Sequence, residues 1–72
     1  MGDETEQMTR RQKAFARYKK LYPNYHGGFL QDCFVDDVCD VLNYSSSWYI
    51  YQLDPDSEMW DRCFPEGTQP RH

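Results

Sequence analysis

FLQDCFVDDVCDVLNY, residues 29–44, is the stretch on which the fold turns. At about 100° per residue, Leu30, Phe34, Val35, Val38, Val41 and Leu42 read as one apolar arc. Asp32, Asp36, Asp37 and Asp40 read as the opposing arc. A strand needs a period of two, and the adjacent pair Phe34-Val35 followed by two aspartates breaks it. The spacing therefore predicts an amphipathic helix over 29–43, with an apolar face and a purely acidic one. Its first turn holds Asp32, where the helix dipole favours a negative charge. No other segment has enough aliphatic residues to seed a core.

On the N-terminal side, Pro23-Asn24-Tyr25-His26-Gly27-Gly28 reads as a turn of ordinary length between two packed helices. Its two glycines permit a sharp reversal. Before it, Thr9-Arg10-Arg11-Gln12 has the form of a capping box that opens a helix over 9–22. Met8, Phe15, Tyr18 and Tyr22 share one side of that helix, and Arg10, Lys13, Arg17 and Lys20 share the other. Pro23 ends it by disfavouring helical geometry in the residue before it. Residues 1–8, with three acids and no useful hydrophobe before Met8, read as a flexible N-terminus.

On the C-terminal side, Trp48-Tyr49-Ile50-Tyr51-Gln52-Leu53 has residue types that favour a strand. A lone strand leaves its backbone unpaired, so a short helix capped by Ser45-Ser46-Ser47 is the preferred reading. The alternative is an α+β fold in which 47–53 pairs within the chain or across a homodimer. Asp54-Pro55-Asp56-Ser57-Glu58 reads as a further helix start, with an aspartate cap and proline at the first helical position. Met59, Trp60, Cys63 and Phe64 would form its buried side, and residues 66–72 a disordered polar tail. The fold expected is mainly α: one small domain over 9–65, a bundle of three to four short helices. An antiparallel hairpin of 9–22 and 29–43 would be closed by the C-terminal helix.

Seventy-two residues bury little surface, and a deep catalytic cleft is hard to build from them. Six tyrosines, four phenylalanines and two tryptophans offset the shortage of aliphatic residues. The net charge of −4 conceals a segregation. Six of the eight lysines and arginines lie between Arg10 and Lys20, whereas residues 32–66 hold nine acids against one base. No run reaches the roughly 20 apolar residues of a membrane span, and the polar N-terminus is not a signal peptide. These features, with an odd number of cysteines, point to a cytoplasmic protein with reduced thiols.

Catalytic and metal motifs do not assemble. Cys33, Cys39 and Cys63 with His26 match none of the usual zinc spacings. Asp54, Asp56, Glu58 and Asp61 resemble a calcium loop, but Met59 and Pro65 stand where glycine and glutamate are needed. No nucleophile elbow or phosphate loop is present. We therefore expect no enzyme activity, cofactor or metal.

Two surfaces remain as candidates for a protein partner. Asp32, Asp36 and Asp40 rise about 6 Å at each step, with Asp37 beside them, and suit a basic groove. Tyr44, Trp48, Tyr49 and Tyr51 are more aromatic surface than a chain of this length buries. The functional expectation is a small acidic module that binds and modulates or inhibits another protein, including at a nucleic-acid-binding surface. Small acidic proteins of phages and mobile elements are of this type. The alternative is a nucleic-acid-binding regulator that uses Arg10, Lys13, Arg17 and Lys20 as a phosphate-tracking stripe.

Overall fold

The computed structural model describes residues 8–70. Three helices and one 3-10 turn follow in order: α1 (Arg10–Leu21), α2 (Gly27–Leu42), α3 (Ser47–Gln52) and the turn Glu58–Arg62. The fold is mainly α, without strands among the described residues. The expected flexibility of residues 1–7 lies outside the described residues.

Helix α1 starts where the capping box places it. The Gln12 amide donates to Thr9 Oγ1 at 3.1 Å, and the Thr9 amide donates to Gln12 Oε1 at 2.8 Å. A third early amide, that of Arg11, donates to the Pro55 carbonyl at 2.8 Å, which ties the helix start to the C-terminal segment. Thr9→Ala is expected to cost about 1 kcal/mol and to lower Tm by roughly 4–8 °C in a thermal melt.

Helix α2 begins at Gly27, two residues earlier than the periodicity predicts, so Asp32 lies beyond its first turn. Gly27 has φ +57°, a backbone that suits the missing Cβ. At the other end Asn43 takes the left-handed conformation, φ 60° and ψ 43°. The Tyr44 amide then reaches the Cys39 carbonyl at 2.8 Å, a Schellman-type closure that turns the chain toward α3.

Residues 47–52 are helical, so neither an in-chain nor a cross-dimer strand forms there. Ser46 supplies the cap, accepting from the Trp48 amide at 3.2 Å, and Ile50 anchors the helix in the core. The expected C-terminal α-helix is instead a turn followed by a 3-10 turn. The Asp54 carboxylate accepts from the Asp56 amide and its carbonyl from the Ser57 amide, both at 2.9 Å. The cap has therefore moved to Ser57, whose hydroxyl accepts from the Met59 amide. With Pro65 close behind, only a short 3-10 run fits between them. Beyond it the Thr68 amide and hydroxyl both donate to the Pro65 carbonyl, and the last two residues of the expected polar tail, 71–72, lie outside the described residues.

The core is aromatic and lies where α1, α2 and the 3-10 turn meet. Phe34 and Trp60 stack at 6.0 Å between centroids and 10° between planes. Tyr18 packs against Phe34 at 5.5 Å and Phe64 at 4.9 Å, and Phe15 meets Phe34 edge-on at 4.9 Å. Each such pair adds about 0.5–1.5 kcal/mol beyond the area it buries. Among the described residues no buried side-chain polar atom lacks a hydrogen-bond partner.

Candidate interaction surface

The aspartates of α2 do not form one row. Asp32, Asp36 and Asp40 are exposed, but Asp37 is only 3% exposed and accepts from the Tyr18 hydroxyl at 2.7 Å. Its place on the outer ridge is therefore corrected. The reason is legible in the spacing: Asp37 follows Leu30 by seven residues and Phe34 by three, so it falls about 20° from Leu30 on the helix wheel. It belongs to the edge of the buried arc, facing α1.

The basic stripe of α1 is also divided. Arg17 points inward: its Nη2 donates to the Trp60 and Cys63 carbonyls at 3.1 and 2.8 Å, and its Nε to the Cys63 carbonyl at 3.1 Å. Cys63 closes the 3-10 turn, and the guanidinium supplies its carbonyl with two donors and adds a second donor to the Trp60 carbonyl, which already accepts from the Cys63 amide at 3.1 Å. Arg10 reaches the Asp56 carbonyl at 2.7 Å and Asp61 Oδ2 at 3.1 Å. Lys13 is half-buried and Lys20 exposed. Helix α1 thus buries a second side against the 3-10 turn, which periodicity alone did not reveal. Replacing Arg17 with Gln is expected to cost about 1.5 kcal/mol, read as a lower urea midpoint.

The ridge that remains meets α3. Asp32, Val35 and Asp36 line a shallow groove with Ser47 and Tyr51 of the short helix. Trp48 is 60% exposed beside it in sequence, and its ring meets Tyr49 edge-on at 5.3 Å. Tyr49 in turn lies 6.0 Å from Tyr44, whose half-buried hydroxyl is 3.3 Å from Met59 Sδ. Tyr44 is therefore a support for the aromatic surface more than a part of it. On the far side of Tyr51, the Arg11 guanidinium sits 6.0 Å from the Tyr51 centroid and 5.7 Å from that of Trp60. Ile50, fully buried between exposed neighbours, is what holds this aromatic helix to the body.

The three cysteines are held as thiols. Burial is the first cause at each, and it pushes Cys63 up to about 11 despite an opposing pull from Arg17. Cys33 and Cys39 are raised by burial and then by neighbouring aspartates, Asp37, Asp36 and Asp32 for the first and Asp36 and Asp40 for the second. A nucleophilic cysteine needs the reverse environment. Among the described residues no group of three His, Cys, Asp or Glu side chains could hold a metal ion. No helix among them is long and apolar enough to cross a membrane.

No family model, curated protein or solved structure matches the chain, so its surface is read from its own geometry.

Proposed function

We propose that the chain is a non-enzymatic interaction module that binds and modulates, or inhibits, a partner protein. The contact surface is the exposed ridge Asp32, Asp36 and Asp40 together with Trp48, Tyr49 and Tyr51 of α3. The observation that carries this reading is that the acidic ridge and the aromatic helix share a groove, lined by Asp32 and Asp36 from one side and Tyr51 from the other. Carboxylates beside exposed Tyr and Trp rings accept lysine and arginine in two ways, as ion pairs and over the ring faces. A partner with a basic groove, of the kind that takes nucleic acid, is complementary to both. Direct nucleic-acid binding through α1 has less support, because Arg10 and Arg17 are engaged within the fold.

A pull-down from host lysate tests the reading with three baits: the wild-type chain, an Asp32→Asn/Asp36→Asn/Asp40→Asn variant and a Trp48→Ala/Tyr51→Ala variant. The aspartate variant should keep its stability within about 0.5 kcal/mol, as surface changes do, so a lost partner is not a lost fold. We expect one protein captured by the wild type, released by high salt, and lost with either variant. Equal capture by all three baits would remove this surface from the function.

A further inference from the structure

A thioether stands beneath the aromatic surface. The Tyr44 hydroxyl donates to Met59 Sδ at 3.3 Å, and both side chains are half-buried. The Tyr44 ring lies 6.0 Å from Tyr49, which meets Trp48 edge-on at 5.3 Å. A line of contacts thus runs from the 3-10 turn to two exposed rings of α3. That helix has six residues, and Ile50 is the buried one. An element with so few buried contacts has little to resist a shift beneath it. A thioether is a weak acceptor and an oxidisable one.

We propose that Met59 and Tyr44 form a peroxide-sensitive latch under Trp48 and Tyr49, and that its oxidation lowers partner capture. Hydrogen peroxide is the oxidant. The Met59 sulfur gives up two electrons and takes one peroxide oxygen as the O–O bond breaks. The other oxygen leaves as water with both protons, and the thioether becomes a sulfoxide. The new oxygen does not fit between sulfur and hydroxyl. An O–H···O bond takes about 2.7 Å, which leaves less than a covalent bond length of the 3.3 Å between Tyr44 Oη and Met59 Sδ. Turned elsewhere, the oxygen draws electron density from the sulfur, and the hydroxyl loses its acceptor. Either way the Tyr44 ring shifts, and Tyr49 and Trp48 shift with it. The Tyr44 backbone stays, because its amide is bonded to the Cys39 carbonyl at 2.8 Å. Peroxide also meets three thiols, but the thiolate is the reacting form and burial disfavours it at each. A dithiol-dependent reductase reverses the step, giving thioether, disulfide and water. The effect on capture rests on the surface proposed above; the movement of the rings does not.

The test is NMR on the intact, ¹⁵N-labelled chain before and after hydrogen peroxide, with dithiothreitol added afterwards to reduce any oxidised thiol. Peptide mass mapping should find an added oxygen on Met59. The Trp48 indole resonance and the Tyr44 and Tyr49 backbone resonances should shift while the spectrum stays dispersed. Methionine sulfoxide reductases should return them to their starting positions. Met59→Leu, which keeps Met1 and Met8, should show none of these shifts. Tyr44→Phe leaves room for the oxygen, so Met59 should oxidise there without moving Trp48. A Met59 left intact while Met8 is oxidised would overturn the proposal. So would unmoved Trp48 and Tyr49 resonances around an oxidised Met59, or the same shifts in Tyr44→Phe. Lost dispersion in the oxidised wild type would overturn it too, by showing damage to the core. In the pull-down, oxidised wild type should capture several-fold less partner than oxidised Met59→Leu, and equal capture would overturn the regulation. Shifted rings in a chain that captures nothing even before oxidation would uphold the latch and strike only the function of the surface.

Discussion

Trp60→Ala is expected to leave too little stability for a cooperative fold at room temperature. Trp60 is 0% exposed, stacks on Phe34 and donates from Nε1 to the Asp54 carbonyl at 2.8 Å. Truncating a buried tryptophan costs about 3–5 kcal/mol. At roughly 0.05–0.15 kcal/mol per residue the whole chain has only about 4–11 kcal/mol, and a domain this small belongs near the bottom of that range. The same ring also forms one wall for the Arg11 guanidinium, so the start of α1 loses support with it. Trp60→Phe keeps a stacking ring but removes the Nε1 donor, and about 1–2 kcal/mol should be lost. Urea titration followed by far-ultraviolet circular dichroism reads both. An alanine variant that unfolds cooperatively within about 1 kcal/mol of wild type would show that the aromatic centre is not what holds the helices together.

The parts of this fold that were legible in the sequence are those with a local cause. The Thr9–Gln12 box opens α1 because both of its hydrogen bonds lie within four residues. Ser46 caps α3 for the same kind of reason, and this outweighed the strand-favouring residue types of Trp48, Tyr49 and Ile50. What escaped depends on partners far along the chain. Arg17 looks like a member of a solvated stripe until the 3-10 turn, more than forty residues later, brings the Trp60 and Cys63 carbonyls to it. The C-terminal element kept its buried residues Trp60, Cys63 and Phe64 but not its expected helical form, because Asp54 closes its own turn before a helix can begin. Of the candidate surface, the exposure of Asp32, Asp36, Trp48, Tyr49 and Tyr51 followed from pattern and crowding. The meeting of Asp32, Asp36 and Tyr51 in one groove required the packing of α3 on α2, which no sequence period encodes.

The buried pair Tyr18–Asp37 should be the most sensitive polar contact in the molecule, and alkali should expose it. Tyr18 is 0% exposed, and burial first, then the Asp37 carboxylate that accepts its proton, raise its phenol far above the ordinary value of 10.0. The folded state therefore keeps a proton that the unfolded chain releases above pH 10. The stabilisation is complete below that pH and is lost as pH rises beyond it, by about 1.4 kcal/mol per pH unit for one proton. Cys63 acts with the same sign in a lower window, between its ordinary 9.0 and about 11. Stability should thus fall from about pH 9 and more steeply past pH 10. At neutral pH, Asp37→Ala should cost about 3 kcal/mol, because it strands a buried hydroxyl. Tyr18→Phe should cost less, about 1–2 kcal/mol, and should remove the steeper alkaline slope while leaving the part due to Cys63. The loss in the double variant should fall short of the sum of the two single-variant losses by at least about 1 kcal/mol, the mark of a direct contact. Chemical denaturation of the four chains at neutral and alkaline pH measures all of this. Additive losses, or a Tyr18→Phe variant as steeply sensitive to alkali as the wild type, would mean that the hydroxyl and carboxylate do not depend on each other in the folded chain.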